Sequence, residues 1–311
     1  MDVSQFCSAT RALIVAGKGG VGKTTVTAAL AQMAARAGQS ALIVEVEGKS
    51  GIGNIFGRDE PLTYEEVELG ERITARTLTP DDALLEYLQA HGLKRISKRL
   101  ANSGALDVVS TAVPGIKDIL VLGKVKQLER ANAADLLVLD APAAGHAVTF
   151  LTSARGLLDA ARVGPIRTQA QDVVDLLSDP DRSQVILVTL PEETPVNEVV
   201  ETAYKLEDRV GIKLGPVVVN GVYPKLDALD ADPAEVAAAA GLSITAAQAA
   251  GLAEAAAFRR RRQVLQAEQL ERLAEALPLR QIRLPYLFTP ELGPAELDIL
   301  SRALTCGVEA L

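Results

Sequence analysis

The chain has 311 residues, 48% of them hydrophobic, and a formal net charge of −8. That apolar content supports a substantial core and excludes disorder, and the acidic balance gives no global attraction to DNA or to an anionic membrane. Two cysteines, Cys7 and Cys306, near opposite ends, exclude a structural zinc or iron–sulfur centre built from one chain's thiolates. No segment has the roughly 18 uninterrupted apolar residues of a membrane span. Residues 1–6 lack the basic start and apolar core of a secretory signal, so a cytoplasmic location is expected.

Residues 12–16 are a short apolar run suited to a buried parallel strand. They lead into Gly17, Lys18, Gly19, Gly20, Val21, Gly22, Lys23 and Thr24, which fit the phosphate-loop pattern G-x-x-x-x-G-K-[ST]. Its glycines let successive backbone N–H groups turn inward around phosphate oxygens. Lys23 is placed to reach the β- and γ-phosphates, and the Thr24 hydroxyl to hold Mg²⁺. From Thr25 an alanine-rich stretch runs to residue 37 and stops at Gly38, reading as a helix whose N-terminus faces the phosphates. ATP with Mg²⁺ is the expected ligand.

The second strand, residues 41–46, runs into Glu47, Gly48, Lys49, Ser50 and Gly51. Glu47 is the candidate to orient and deprotonate an attacking water. Glu45, inside the strand, is expected to face away from the site. Residues 80–131, interrupted near 102–104 and 114–115, and residues 153–177 read as helical. They are expected to form a helical subdomain inserted into a single nucleotide-binding domain spanning 1–311. The strand at 136–139 ends in Asp140, the position from which an acidic group supports Mg²⁺. Pro142 and Gly145 then suggest a turn that senses the γ-phosphate and ends at His146, which is given no catalytic role. His91 reads as a surface residue.

Further apolar runs at 185–190, 215–219 and 282–287 alternate with helical patterns. The expected fold is therefore α/β, a doubly wound, mostly parallel sheet of the phosphate-loop NTPase kind, carrying the inserted helices. Between the last two strands, residues 233–277 read as helix and carry Arg259, Arg260, Arg261 and Arg262. Four successive arginines spread around a helix axis, and Glu268 and Glu271 follow, so a solvated or subunit-contact face is expected and no nucleic-acid partner. Residues 294–311 hold Glu296, Asp298 and Glu309 against Arg302, the wrong balance for an anionic-membrane anchor.

These motifs resemble those of the ArsA-type ATPases: the arsenite-pump ATPase, the eukaryotic ATPase that targets tail-anchored membrane proteins, and their bacterial relatives. The loop from Gly17 through Thr25 matches that family residue for residue. Its second lysine, Lys18, marks the deviant subclass of phosphate loops, whose members resemble one another in working as face-to-face dimers with this lysine reaching the partner's nucleotide. The family's D-T-A-P-T-G-H segment is similar to residues 140–146, with the proline shifted by one. Its S-T-D-P-A-H-N switch corresponds to residues 45–51, which puts Glu47 on the catalytic aspartate with one extra methylene. Its V-V-N strand resembles residues 218–220, which implies that Asn220 contacts adenine, and its adenine-side loop resembles residues 282–287, which implies Pro285 and Tyr286 as neighbours of the base.

The bacterial "anion-transporting ATPase" branch shares the E-V-E-G switch and a P-G-[IL]-[KR]-D-[IV]-L helix, here residues 113–120. Members of that branch occur as paralogous subunits that pair. The resemblance implies an ATPase acting as a homodimer, or as a heterodimer with a paralogous ATPase subunit, with a hydrophobic protein client for the helical segment. Arsenite efflux is not expected, because that site needs clustered thiolates. The alternative is a ParA- or MinD-like positioning ATPase, which shares the deviant loop and acts on DNA or a membrane surface.

Overall fold

The computed structural model describes residues 1–46, 51–90, 115–160 and 162–311. Glu47, His91 and the part of the helical segment between 91 and 114 lie outside the described residues. Eight strands are present among them: β1 (Ala12–Gly17), β2 (Ala41–Val46), β3 (Val67–Gly70), β4 (Ile73–Leu78), β5 (Leu136–Ala143), β6 (Ser183–Thr189), β7 (Val217–Val222) and β8 (Gln281–Pro285). They form one sheet in the order β3-β4-β2-β5-β1-β6-β7-β8. The β3–β4 pair is antiparallel and every other pair parallel.

The helices that matter for the site are α1 (Val3–Ser8), α2 (Lys23–Arg36), α3 (Gly51–Ile55), α4 (Pro80–Ala90), α5 (Ile116–Arg130), α6 (Ala144–Ala160), α7 (Pro165–Ser178), α8 (Glu193–Val210), α9 (Pro233–Ala239), α10 (Ala246–Ala276) and α11 (Pro294–Glu309). The chain steps outward from β1 to β2 and β4, returns to place β5 beside β1, then steps the other way through β6, β7 and β8. The reversal puts a crevice at the carboxyl ends of β1, β5 and β6, where open α/β sheets bind their ligands.

Strand alternation divides the core in two. Leu13, Val15, Ile43, Val138 and Val188 face one side, where they pack with Val26, Leu30 and Met33 of α2 and with Leu297, Leu300 and Leu304 of α11. Ile14, Val44, Leu137, Leu139 and Leu187 face the other, against Ile119, Leu122 and Val125 of α5, Phe150 and Leu151 of α6 and Val199 and Leu206 of α8. Each such side chain contributes about 1.5–3 kcal/mol of burial, and the wholly buried β1 needs no polar alternation because helices cover both faces.

The α/β architecture and parallel sheet agree with the sequence reading; several details differ. Strands β3 and β4 are additional. Arg76, near the middle of β4, interrupts its apolar pattern, yet it is buried, with an Nη1 donating to Glu66 at 3.3 Å. Strand β5 continues past Asp140 to Ala143, and α6 starts at Ala144, so no turn intervenes where Pro142 and Gly145 suggested one. The stretch 233–277 is two helices, divided where Gly241 adopts a φ of +71°. No helix among the described residues is long and apolar enough to cross a membrane.

Candidate nucleotide site

Gly17 closes β1 against the backbone of β6, and a Cβ added there would lie 2.3 Å from the Val188 carbonyl oxygen, so a side chain has no room. Gly22 precedes α2 with a φ of 90° and supplies no side-chain cap. A Cβ on Gly22 would also meet Asn220 Nδ2 at 2.3 Å. Helix α9, by contrast, is capped by the Asp232 side chain and α10 by a Thr245–Gln248 capping box. The α2 N-terminus thus presents its first N–H groups and the positive end of its dipole to the crevice, the arrangement that binds phosphate.

Five of the expected side chains, Lys18, Lys23, Thr24, Asp140 and Asn220, meet around the loop. Lys23 is buried at 7% exposure and folds over the loop, its Nζ donating to the Lys18 carbonyl at 2.9 Å. The Thr24 hydroxyl donates to Asp140 Oδ2 at 2.7 Å. Asn220, within β7, donates from Nδ2 to the Val21 carbonyl at 3.0 Å, which fastens the loop to the strand. Lys18 lies at the rim, its Nζ 2.7 Å from Glu198 Oε1 on α8. Val21 and Thr25 are buried beneath the loop, whereas Gly19 and Gly20 face solvent.

The oxygen donor set of Thr24 and Asp140 suits a hard cation such as Mg²⁺. Among the described residues no group of three or more His, Cys, Asp or Glu could hold a metal by itself.

Glu45 is a residue the sequence reading set aside, and the structure corrects it. Residues two apart on a strand share a face, so Glu45 lies on the side of Ile43, which packs against α2. Glu45 is fully buried, pairs in register with Asp140, and accepts a hydrogen bond from Thr77 Oγ1 at 3.1 Å. The available signal was a carboxylate inside an apolar parallel strand, which needs a reason to be there.

The other rim is aromatic. Tyr286 follows the half-buried Pro285 at the end of β8 and is exposed. Its ring centre lies 5.0 Å from that of Tyr223 and 4.8 Å from that of Phe288. The Arg259 guanidinium stacks 4.5 Å from the Tyr223 ring and 4.8 Å from the Phe288 ring. Gln266 of α10 fixes the segment after Asn220 by accepting from the Tyr223 N–H at 2.8 Å and donating to the Gly221 carbonyl at 3.1 Å. Tyr223, Phe288 and Arg259 were not among the expected site residues. Phe288 lies two residues beyond Tyr286, but only the folded α10 brings Arg259 to them.

The arginine run is largely engaged inside the chain. Arg259 stacks on the rings, Arg260 pairs with Asp230, and Arg262 pairs with Glu192 at 2.9 Å. His146 is exposed on α6. It bears on Asp118, whose carboxyl burial pushes above its ordinary range and the nearby imidazole pulls back down.

The model of the anion-transporting ATPases matches residues 10–161, which include β1, the phosphate loop, α2 and β5. ATPase BagA of Mycobacterium tuberculosis is 34% identical over 229 residues, 70% of this chain and 66% of that protein. The chain belongs to the ArsA-type ATPase family. Other members that it resembles are the arsenical pump-driving ATPases of Escherichia coli, 27% identical over 248 residues, and of Acidiphilium multivorum, 26% identical over 241 residues. The match spans 41% and 40% of those two longer proteins, and just under two thirds of the mycobacterial one. In this ArsA-type chain the residues matched by the family model, 10–161, hold the loop, Lys18 and Asp140.

Proposed function

We propose that this chain binds and hydrolyses ATP with Mg²⁺ at the loop from Gly17 to Thr25, in a dimer, and couples the reaction to a change in what its helical face binds. The observation that carries the reading is the Thr24–Asp140 hydrogen bond of 2.7 Å at the uncapped start of α2. It joins the hydroxyl and the carboxylate that a phosphate-bound cation needs, beside N–H groups aimed at an anion. Bound Mg²⁺ would neutralise charge developing on the phosphates.

The loop N–H groups and Lys23 bind the β- and γ-phosphates. Asn220, Pro285 and Tyr286 border the base, with Tyr223 and Phe288 extending that rim. Glu47 takes the proton of the attacking water. Lys18 completes the site of a neighbouring subunit, either a second copy or a paralogous chain. The segments 80–131 and 153–177 act as the helical part that responds to nucleotide and meets a hydrophobic protein client.

Arsenite is not the cargo we assign. Burial, helped by Asp2, pushes the Cys7 thiol up to about 12, so it offers no thiolate near neutral pH. Cys306 alone is exposed. With Arg259, Arg260 and Arg262 engaged internally, we assign no DNA surface either, and we place the protein in the cytoplasm.

Glu47→Gln tests the chemistry. Phosphate release should fall by roughly 100-fold or more, the usual weight of a positioned base, with ATP affinity little changed. Unaltered turnover would remove Glu47 from the mechanism.

A further inference from the structure

Lys18 has a partner within its own chain. Its Nζ sits 2.7 Å from Glu198 Oε1, with the two side chains 40% and 37% exposed. Glu198 is presented by a braced element. Val196 and Val199 on either side of it are buried, and Arg272 of α10 donates to the Glu193 carbonyl at 3.1 Å and to Asn197 Oδ1 at 2.8 Å. Arg262 ties down Glu192 at the start of the same helix. A carboxylate on so firmly held a helix turn sets where the flexible lysine rests. Lys18 is thereby drawn along its own subunit's surface towards α8, not outward.

Building on the reading that Lys18 serves a neighbouring subunit's nucleotide, we propose that Glu198 is the positioning residue that parks Lys18 in the unassembled chain, and that this bridge opens when Lys18 crosses to the partner. The energetics allow it. A half-exposed ion pair is weak and salt-screened, whereas a triphosphate offers an ammonium stronger, charge-assisted hydrogen bonds in a drier interface. The bridge therefore sets a threshold for assembly without blocking it. Glu198 touches neither nucleotide nor metal; it acts through Lys18.

The test is sedimentation of the full chain with Mg²⁺ and a non-hydrolysable ATP analogue, comparing wild type, Glu198→Gln and Glu198→Asp. Two bridges open per dimer, each worth a factor of about 1.4–5, so Glu198→Gln should dimerise about 2- to 30-fold more tightly. Glu198→Asp, which keeps the charge on a shorter arm, should fall between. The gap between Gln and wild type should close at high salt; a merely structural role would show neither the graded rescue nor the salt effect. In the nucleotide-free chain, with lysines carrying ¹³C-methyl labels, the Lys18 resonance should move on Glu198→Gln. An unmoved resonance overturns the bridge itself. A moved resonance with unchanged or weaker dimerisation overturns the parking role while leaving the trans-acting lysine intact. If neither wild type nor Glu198→Gln associates, Lys18 does not reach a second copy of this chain, and the parking role as a threshold for self-assembly is overturned.

Discussion

The phosphate end of the crevice takes its shape within one short stretch, from the last residue of β1 to the first turn of α2, whereas the opposite rim is assembled from β7, the segment after β8 and the middle of α10. Both ends are fastened through Asn220 and its neighbours: Asn220 holds the loop at Val21, and Gln266 holds the residues that follow Asn220. The difference lies in what each end depends on. The loop depends on backbone dihedrals and a buried carboxylate, and Gly17 and Gly22 leave no room for a side chain. The aromatic rim depends on exposed stacking of rings and guanidinium, which is additive and individually modest.

The sharpest way to break this contrast is Gly22→Ala. It combines a left-handed backbone position, which costs an L-residue about 1–2 kcal/mol, with a Cβ driven onto the Asn220 amide, a crowding of about 1–3 kcal/mol. Urea unfolding should show a loss of about 2–5 kcal/mol together with lost ATP binding. A variant as stable as wild type would mean that the loop is not held as described. Arg259→Ala attacks the other end. Losing two half-exposed cation–π contacts should lower stability by about 1–2 kcal/mol and speed hydrogen exchange at residues 222–224, while affinity for inorganic triphosphate stays the same. A large loss of triphosphate affinity would show that the two ends are not separable.

These two ends were also unequally legible in the sequence. The loop, Thr24 and Asp140 could be placed because a glycine motif and a strand-terminal acid are local features whose geometry follows from neighbouring residues. Strand alternation could have retrieved Glu45, since it puts Glu45 on the side of Ile43, which packs against α2, yet the strand's apolar character masked it. Arg259 and Glu198 had no such signal. Their partners, Tyr223 with Phe288 and Lys18, are brought to them by the packing of α10 and α8 on the sheet, and sequence separation hides tertiary neighbours. The strands β3 and β4 escaped for a related reason: Arg76 is buried by virtue of Glu66 and the Tyr64 ring, 4.6 Å from its guanidinium, so the apolar pattern that marks a strand was interrupted by a satisfied charge.

The smallest expected effect concerns the helical layer behind Asp140. Burial raises the Asp118 carboxyl in the folded chain, only partly countered by His146. A folded-state value above the unfolded one means that the native state binds the extra proton, so stability falls as pH rises from the ordinary carboxyl range through the raised one. Asp118→Asn removes that dependence. It should be more stable than wild type at neutral pH and lose the advantage below the ordinary carboxyl range, as read by thermal unfolding across a pH series. Equal stabilities at neutral pH would mean that the carboxylate is better solvated than its position implies.

The most direct test of the central claim is calorimetric titration of Mg·ATP into the wild-type chain and into Lys23→Ala. A buried ammonium folded over the loop should contribute charge-assisted hydrogen bonds worth about 3 kcal/mol, so the variant should bind roughly 100-fold more weakly. Equal affinities in the two chains would contradict the assignment of the Gly17–Thr25 loop as the phosphate site.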